Sequence, residues 1–355
     1  MTNKEYGSDF HYENEKVWCV ANPADSFFYG KNISLFFSGR AALFSILEQG
    51  IKNQGWQKVF FPSYYCHKVA PFVDELPIQV EYYEFNPFLD FEKKEINIED
   101  LASNVIVNVD FFGLKKLDVS SFQNAIIIDD LSHHILDLKN SKADYCFGSI
   151  RKELPIPMGG FCYSPKKYAL PDAKYSNECE ALAVQKLSAM FLKKRYVEGV
   201  LEAKNLFRAL FLEVEHEAEA NYTNAKMPNI SQSILFQLDV EKILEVKKNN
   251  LNFALELLKD CKNIKINLGT KSEAFGLVLE CNSLEERNKI RLFLIEKNIF
   301  PAILWPDQIY QRDKEIEDKI LFLHVDYRYT TEDVKIIITT LKEFFSHEQI
   351  LDYRS

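Results

Sequence analysis

Four short apolar segments in the first part of the chain constrain its fold more than any other feature of the sequence. Runs of Val, Ile and Phe without polar alternation are typical of strands that are buried on both faces of a sheet. A helical pattern at 38–54, with Ser38 near its start, precedes them. We therefore predict an α/β fold with a mostly parallel central sheet and helical crossovers. The four segments are KVFFPSYYC (58–66), IQVEYYEF (78–85), NVIVNVDFFG (104–113) and AIIIDD (125–130).

The remainder of the chain changes to a mainly helical pattern after residue 164. Residues 145–164 still contain two short extended stretches, which a proline-rich turn separates. Two domains follow from this change: a large α/β domain over 1–230 and a smaller C-terminal α+β domain over 231–355. The elements predicted after residue 164 are long helical stretches at 178–220 and 233–261, strands in KINLGT, FGLVLEC and NIFPAILW, a helix in LEERNKIRLFLIEK, and a capped helix at 330–350 that begins at Thr330 or Thr331.

Charge and cysteine content exclude several classes of protein. The 43 basic and 52 acidic residues give a net charge of -9, which does not suit a nucleic-acid binder held by phosphate contacts. No apolar run approaches the roughly 18 residues of a membrane span, and the polar N-terminus does not resemble a signal peptide. The seven cysteines are scattered without CxxC spacing, which argues against disulfides and structural zinc. Reduced thiols in a cytoplasmic protein are the simplest expectation.

The start of the first predicted helix is a candidate phosphate site. Ser38 is followed by Gly39 and Arg40, and the first backbone N–H groups of a helix suit an anion. Gly39 would let the anion approach closely, and Arg40 adds a positive charge. A capped helix with a surface arginine is the alternative interpretation.

A second candidate site follows the predicted strand AIIIDD, where Asp129 and Asp130 precede Ser132, His133 and His134. A carboxylate at a strand end can hold a ring nitrogen protonated, and ligands gather at such strand ends in doubly wound sheets. A metal site and a simple polar turn are the alternatives, since carboxylates and histidines are also metal ligands.

Lys152 and an aromatic strand end complete the candidates. Lys152 lies before the Gly159-Gly160 turn, and a lysine amine forms Schiff bases when burial or nearby cations lower its pKa. An aromatic ring of Tyr64 or Tyr65, just after a strand, could stack on a flat cofactor. The alternatives are a surface lysine and ordinary core packing.

Taken together, these segments resemble fold type I pyridoxal-phosphate aminotransferases, in particular the DegT/DnrJ/EryC1/StrS group of sugar aminotransferases. The resemblance covers most of the chain. SGRAAL is similar to the group's phosphate segment, IIIDDLSHH to its acidic segment, and GSIRKELPIPMGGF to its segment with a lysine and two glycines. The Asp130–Lys152 pair with the Gly-Gly spacing is the most specific part.

The resemblance implies a role for each matching residue. Lys152 would be the catalytic residue, joined to the cofactor and moving the proton between substrate and cofactor carbons. Asp130 would pair with the pyridine nitrogen and keep the ring an electron sink. His133 would lie near the ring hydroxyl. The residues implied to bind the cofactor are thus Gly39, Arg40, Tyr65, Asp130, His133, Ser149 and Lys152, with no metal.

Several positions depart from the group's pattern. Arg40 replaces the usual Thr, and Phe147 stands where the usual phosphate serine would be, with Ser149 expected to help bind the phosphate. The position that often stacks on the ring aligns with Cys66, so that Tyr64 or Tyr65 would take over. Two registers, Asn224-x-Lys226 and 229–231, compete for the loop that the group lends to a partner subunit.

The resemblance implies a cytoplasmic homodimer that binds pyridoxal 5'-phosphate. It would transfer an amino group from an amino acid, glutamate being the expected donor, to a keto sugar or sugar nucleotide, in cell-surface polysaccharide or antibiotic-sugar synthesis. The alternatives are another pyridoxal-phosphate reaction such as dehydration, a cofactor-binding sensor or partner protein without turnover, and a metal enzyme using Asp129, Asp130 and His133. Dehydratases of this family replace the lysine by His, whereas this chain keeps Lys152.

Overall fold

The described part of the first half contains eight strands, one long α-helix and one short α-helix. The computed structural model describes residues 4–13, 15–88, 96–218, 222–261, 263–266 and 274–352, with side chains up to residue 346 in the last helix. The elements of this half are β1 Tyr6–Gly7, β2 Ile33–Phe36, α1 Gly39–Gln54, β3 Lys58–Pro62, α2 Ala70–Val73, β4 Gln79–Tyr83, β5 Asn104–Val109, β6 Ile126–Asp130, β7 Tyr145–Ser149 and β8 Gly160–Tyr163.

A seven-stranded sheet in the order β2-β8-β7-β6-β5-β3-β4 forms the centre of the fold. Strands β3 to β7 pair parallel with their neighbours, and β8 is antiparallel to both β7 and β2. All six residues of β5 are buried, as expected for an apolar strand covered on both faces. The predicted α/β class and mostly parallel sheet are therefore confirmed, and the carboxyl ends of β3, β6 and β7 lie at one edge.

Helix α1 lies against this sheet with its N-terminus at that edge. Ser38 caps the helix, because its hydroxyl accepts a hydrogen bond from the backbone N–H of Ala41 at 3.1 Å. Gly55 ends it with a φ of 71°, a conformation that glycine adopts without strain. Gly160 of β8 lets the sheet approach the cap, because a Cβ there would lie 2.2 Å from the carbonyl carbon of Ser38. The predicted helix and its start are confirmed.

The second half of the chain contains seven helices and four short strands among the described residues. Strands β12, β10 and β9 form an antiparallel sheet, while β11 pairs parallel with the N-terminal strand β1. None of the described helices combines the length and the apolar character that crossing a bilayer requires. The elements are α3 Asn177–Val197, α4 Lys204–Glu217, α5 Asn229–Leu235, α6 Val240–Leu258, β9 Lys265–Ile266, β10 Leu277–Glu280, α7 Leu284–Glu296, β11 Ile299–Phe300, α8 Gln311–Glu317, β12 Ile320–Leu323 and α9 Thr331–Asp352.

The two long helical stretches predicted from the sequence are each divided in two. The first consists of α3 and α4, which are separated at Gly199, where φ is 78°. The second consists of α5 and α6, and Asp239 caps the latter by accepting from the N–H of Lys242. The predicted domain boundary at 230 falls inside α5, and β1 lies with β11, so the division at that residue stays a prediction. The end of the predicted strand KINLGT lies outside the described residues.

Candidate active site

A cavity of about 270 Å³ opens where the carboxyl ends of β3, β6 and β7 meet the start of α1. We call it the first cavity. Its walls contain six of the seven residues that the sequence assigned to a cofactor, although these residues are spread over more than 100 positions of the chain. These six are Gly39, Arg40, Tyr65, Asp130, Ser149 and Lys152. The parallel topology therefore brings the predicted site together at one edge of the sheet.

The start of α1 forms one end of the first cavity. The first N–H groups of a helix have no partner within the helix, and its dipole favours an anion there. Gly39 packs closely on β7, since a Cβ would lie 3.1 Å from the backbone carbon of Gly148. We predicted that this glycine admits an anion, and the structure adds a packing reason for it.

The side chain of Arg40 is held beside the helix start. Its guanidinium donates to the carbonyl oxygen of Ala218 at 3.1 Å and lies 5.3 Å from the centre of the Phe72 ring. These two contacts hold the positively charged guanidinium of Arg40 at the first cavity, where it could bind an anion together with the helix start.

Asp130 is oriented by two donors at the end of β6. The hydroxyl of Tyr65 donates to Oδ2 at 2.5 Å, and the N–H of Ser132 donates to Oδ1 at 2.9 Å. Burial, and next the charge of Asp130, raise the pKa of Tyr65 well above its ordinary 10, so that the hydroxyl keeps its proton and remains a donor. A carboxylate has about four acceptor positions, so Asp130 retains capacity for a ligand in the cavity.

Tyr65 supports Asp130 from within the core. Its ring stacks on Phe61 with centroids 5.7 Å apart, and only 2% of the residue is exposed. Tyr64 is absent from the lining of the first cavity, whereas Cys66 faces both this cavity and its neighbour. Of the three positions considered for the ring-stacking role, Tyr65 and Cys66 therefore reach the cavity.

Asp129 points to the other side of the sheet, as expected for successive residues of a strand. Its Oδ2 lies 2.5 Å from the Lys116 ammonium and accepts from the Ser141 hydroxyl, also at 2.5 Å. Burial raises the pKa of Asp129, and its hydrogen-bonded neighbours only partly oppose this effect. Asp129 is thus paired with Lys116 and Ser141 and, unlike Asp130, does not line the first cavity.

The described residues contain another group of metal-ligand side chains. Asp110, His134 and Asp137 place one ligand atom each within 4.8 Å of the others. His134 Nδ1 lies 2.8 Å from Asp110 Oδ2, and the Lys116 ammonium lies 3.6 Å from Asp137. This lysine supplies positive charge where a cation would bind, so the group is accounted for as an ion-pair network.

Lys152 stands in a short 3-10 helix, Ile150–Lys152, directly after β7. Its ammonium lies 3.5 Å from Nε2 of His133. His133 is 2% exposed and its ring stacks between Phe275, at 4.3 Å, and Trp305, at 5.1 Å between centroids. Burial first, and then the charges of Lys152 and Lys247, lower the pKa of His133 well below 6.5. His133 is therefore a neutral imidazole beside the lysine amine.

A larger chamber of about 450 Å³ adjoins the first cavity. We call it the second chamber. Cys66, Arg151, Lys152 and Trp305 line both spaces, so that the Lys152 amine is accessible from either side. His133 lines the second chamber and is absent from the lining of the first cavity. We predicted His133 beside the ring hydroxyl of a cofactor, and that role stays a prediction.

Several site residues were not assigned a role from the sequence. Ser132 lines the first cavity, and its hydroxyl accepts from the N–H of Ser149 at 3.0 Å. The small side chain of Ser132, two residues after Asp130 in the acidic segment, is the signal from which it could have been identified. Trp305 has a φ of 53°, and such strain at a bulky residue often marks a functional position. Glu215 lines the first cavity from the middle of a helical pattern, where nothing in the sequence distinguished it.

No family model matches the sequence, and no curated protein sequence matches it either. Solved structures do match over most of its length. Spr1654 of Streptococcus pneumoniae, described as a sugar aminotransferase and solved in a PMP form, has a TM-score of 0.63 and 13% identity, with 99% of this chain and 100% of that chain covered.

Two further solved structures also match this chain over most of its length. GDP-4-keto-6-deoxy-D-mannose-3-dehydratase of Escherichia coli, with bound hydrated PLP, has a TM-score of 0.62 and 11% identity, covering 96% of this chain and 100% of the other. A DegT DnrJ EryC1 StrS aminotransferase from Brucella abortus has a TM-score of 0.55 and 15% identity, covering 88% and 86%. The chain therefore has the fold of these enzymes, which is the fold that its sequence motifs predicted.

Proposed function

We propose that the protein is a pyridoxal-phosphate-dependent aminotransferase. One observation carries this proposal: an amine, a buried carboxylate and a helix N-terminus, contributed by Lys152, Asp130 and α1, line the same cavity. The cofactor has an aldehyde, a ring nitrogen and a phosphate, and each of these groups has a chemical counterpart in that set. The similarity to solved structures supports the same conclusion at the level of the fold.

The donor set of the first cavity fits this cofactor. The helix start with Arg40 would hold the phosphate. Ser149 and Ser132 line the same cavity and offer hydroxyl groups. Asp130, held by Tyr65 and by the N–H of Ser132, would hold the protonated ring nitrogen. When bound, pyridoxal phosphate supplies an electron sink that weakens the bonds to the carbon bearing the amino group.

The residues of this chain would supply orientation and proton transfer. Lys152 would move the proton between the substrate carbon and the cofactor carbon, and its position between the two spaces gives it access to both. His133, being neutral, adds no positive charge beside the amine, which lies 3.5 Å from its Nε2. Tyr65 keeps Asp130 in place through a donor that does not ionise.

The substrates and assembly belong to the same proposal. We propose an amino acid, with glutamate the expected donor, and a keto sugar or sugar nucleotide as acceptor, in polysaccharide synthesis by a cytoplasmic homodimer. The similarity to Spr1654, described as a sugar aminotransferase, supports the acceptor class. A dehydratase is also among the similar structures, but the retained Lys152 favours transamination over dehydration. The two candidate segments for contact with a partner subunit are the turn at Asn224 and residues 229–231, which form the start of α5.

The experiment follows the covalent attachment of the cofactor. Protein purified with pyridoxal phosphate is expected to show a visible absorbance band, and borohydride should fix the cofactor to Lys152, as peptide mass spectrometry would reveal. The Lys152→Ala variant should lose this label, whereas Lys52→Ala, at the exposed far end of α1, should retain it. In a separate sample that has not been reduced, addition of glutamate should bleach the band. A colourless protein, or a label on another lysine, would contradict the proposal, and a band that glutamate leaves unchanged would favour a sensor.

A further inference from the structure

A buried ammonium group lines the second chamber. Lys186 of α3 has a side chain that is only 5% exposed, and it pairs with Oε1 of Glu215 on α4. An ammonium has three N–H donors. Among the described residues, Glu215 is the partner of this ammonium, so two donors remain for a ligand. A buried charge with unused donors is costly unless something else binds it.

The surrounding charges leave an excess of positive charge. Arg151 donates to both oxygens of Glu215, at 3.0 and 2.9 Å, so one carboxylate is shared by two cations. Asp9, on the N-terminal segment, is the other acid that faces Lys186; it lines the second chamber and is exposed to solvent. Burial, and next the charge of Arg151, lower the pKa of Lys186 to about 8. Around the chamber, the three cations Arg151, Lys152 and Lys186 face two acids, Asp9 and Glu215, which leaves one positive charge in excess.

The rest of the chamber wall is mainly apolar. Phe10, Met190, Phe211 and Leu304 line it, and the Lys152 amine stands at its boundary with the first cavity. A ligand with one anionic group and a short carbon chain would satisfy the ammonium and still reach Lys152. A pyrophosphate carries more negative charge than the excess positive charge of this cluster could neutralise.

We propose that Lys186, with Arg151, binds the carboxylate of a small amino or keto acid in the second chamber. Lys186 is thus a specificity-determining residue for the amino donor. This assignment rests on the proposed function for the identity of the ligand as a substrate, but the carboxylate site itself is built from Lys186, Arg151 and Glu215 alone.

The test measures binding without turnover. Glutarate, a dicarboxylate without an amino group, is titrated into the cofactor-free protein by calorimetry. Lys186→Met should weaken binding on the order of tenfold to a hundredfold, because it removes one partner of a desolvated charge pair. Lys186→Arg should retain most of the affinity. Lys52→Met makes the same charge change on an exposed part of α1 and should bind like the wild type. Circular dichroism checks that each variant is folded.

A pH series adds a second readout. An anion prefers the protonated lysine, so glutarate binding to the wild type should weaken as pH rises through about 8. Lys186→Arg, whose charge persists, should bind equally well at pH 7 and 9. Wild-type affinity in Lys186→Met overturns the proposal, and so does tight binding of uridine diphosphate with none of glutarate, since the site would then take a phosphate.

The two proposals fail separately. A colourless protein that binds glutarate through Lys186 would refute the cofactor assignment and leave the carboxylate site standing. A protein whose cofactor is fixed to Lys152, but whose glutarate affinity does not depend on Lys186, would refute the carboxylate site alone.

Discussion

Adjacent tyrosines in the core, Tyr64 and Tyr65, give a sharp test of how Asp130 is held. Both are almost completely buried, with 0% and 2% exposure, but only Tyr65 donates to Asp130, at 2.5 Å. The hydroxyl of Tyr64 has no hydrogen-bond partner among the described residues. A hydrogen bond to a charged group contributes about 1.5–3 kcal/mol, and Asp130 is itself only 5% exposed. Tyr65→Phe should therefore lower the free energy of unfolding by about 2 kcal/mol.

Tyr64→Phe is the matched control, since it removes the same atom from the next residue. Deleting an unpaired buried hydroxyl should be neutral or stabilise the protein by up to about 1 kcal/mol. Urea denaturation of the cofactor-free variants at pH 7, followed by circular dichroism, measures both changes. The reasoning is refuted if the two substitutions destabilise the protein equally, because burial rather than the bond to Asp130 would then decide the result.

Two other buried or partly buried ion pairs make further predictions. Lys247→Met should destabilise the protein by about 3–5 kcal/mol, because it leaves Glu153, whose side chain is 1% exposed, without its charged partner; Lys52→Met, at the exposed end of α1, should change stability little in the same thermal and urea assays. Burial alone would raise the pKa of Glu215, but Arg151 and Lys186 outweigh it and lower the pKa from 4.5 to about 2. The stability that this depressed pKa supplies is present above pH 4.5 and is lost as pH falls towards 2, so the difference between wild type and Glu215→Gln should shrink over that range; a difference that stays constant would contradict the pairing.

Much of the central sheet could be predicted because its strands are apolar along their whole length. The segments ending at Pro62, Val109 and Asp130 were identified to within a few residues, and the start of α1 was marked by Ser38. Parallel strands then bring their ends to one edge, which is why six predicted residues share a cavity. The short strands β1, β2 and β12 had no comparable signal, since two to four residues are too few for a periodic pattern.

The contacts between helices and from distant segments were not predictable. Lys186 and Glu215 each look like an ordinary charged residue on a helix surface, and only the packing of α3 on α4 beside Arg151 buries Lys186 against the partly exposed Glu215. The surroundings of His133 likewise come from Phe275 and Trp305, more than 100 residues further along the chain. Local sequence patterns carry no information about such pairings.

The pairing of β1 with β11 has a consequence for the order in which the protein matures on the ribosome. Tyr6 stands opposite Ile299, and its hydroxyl donates to Asp333, 327 residues later in the chain. The segment that follows β1 carries Phe10 into the wall of the second chamber. A nascent chain released only as far as α6 could already assemble the central sheet and its edge, yet this wall would still be unanchored. Phe10 would accordingly reach its place in the chamber wall only after β11 has been synthesised.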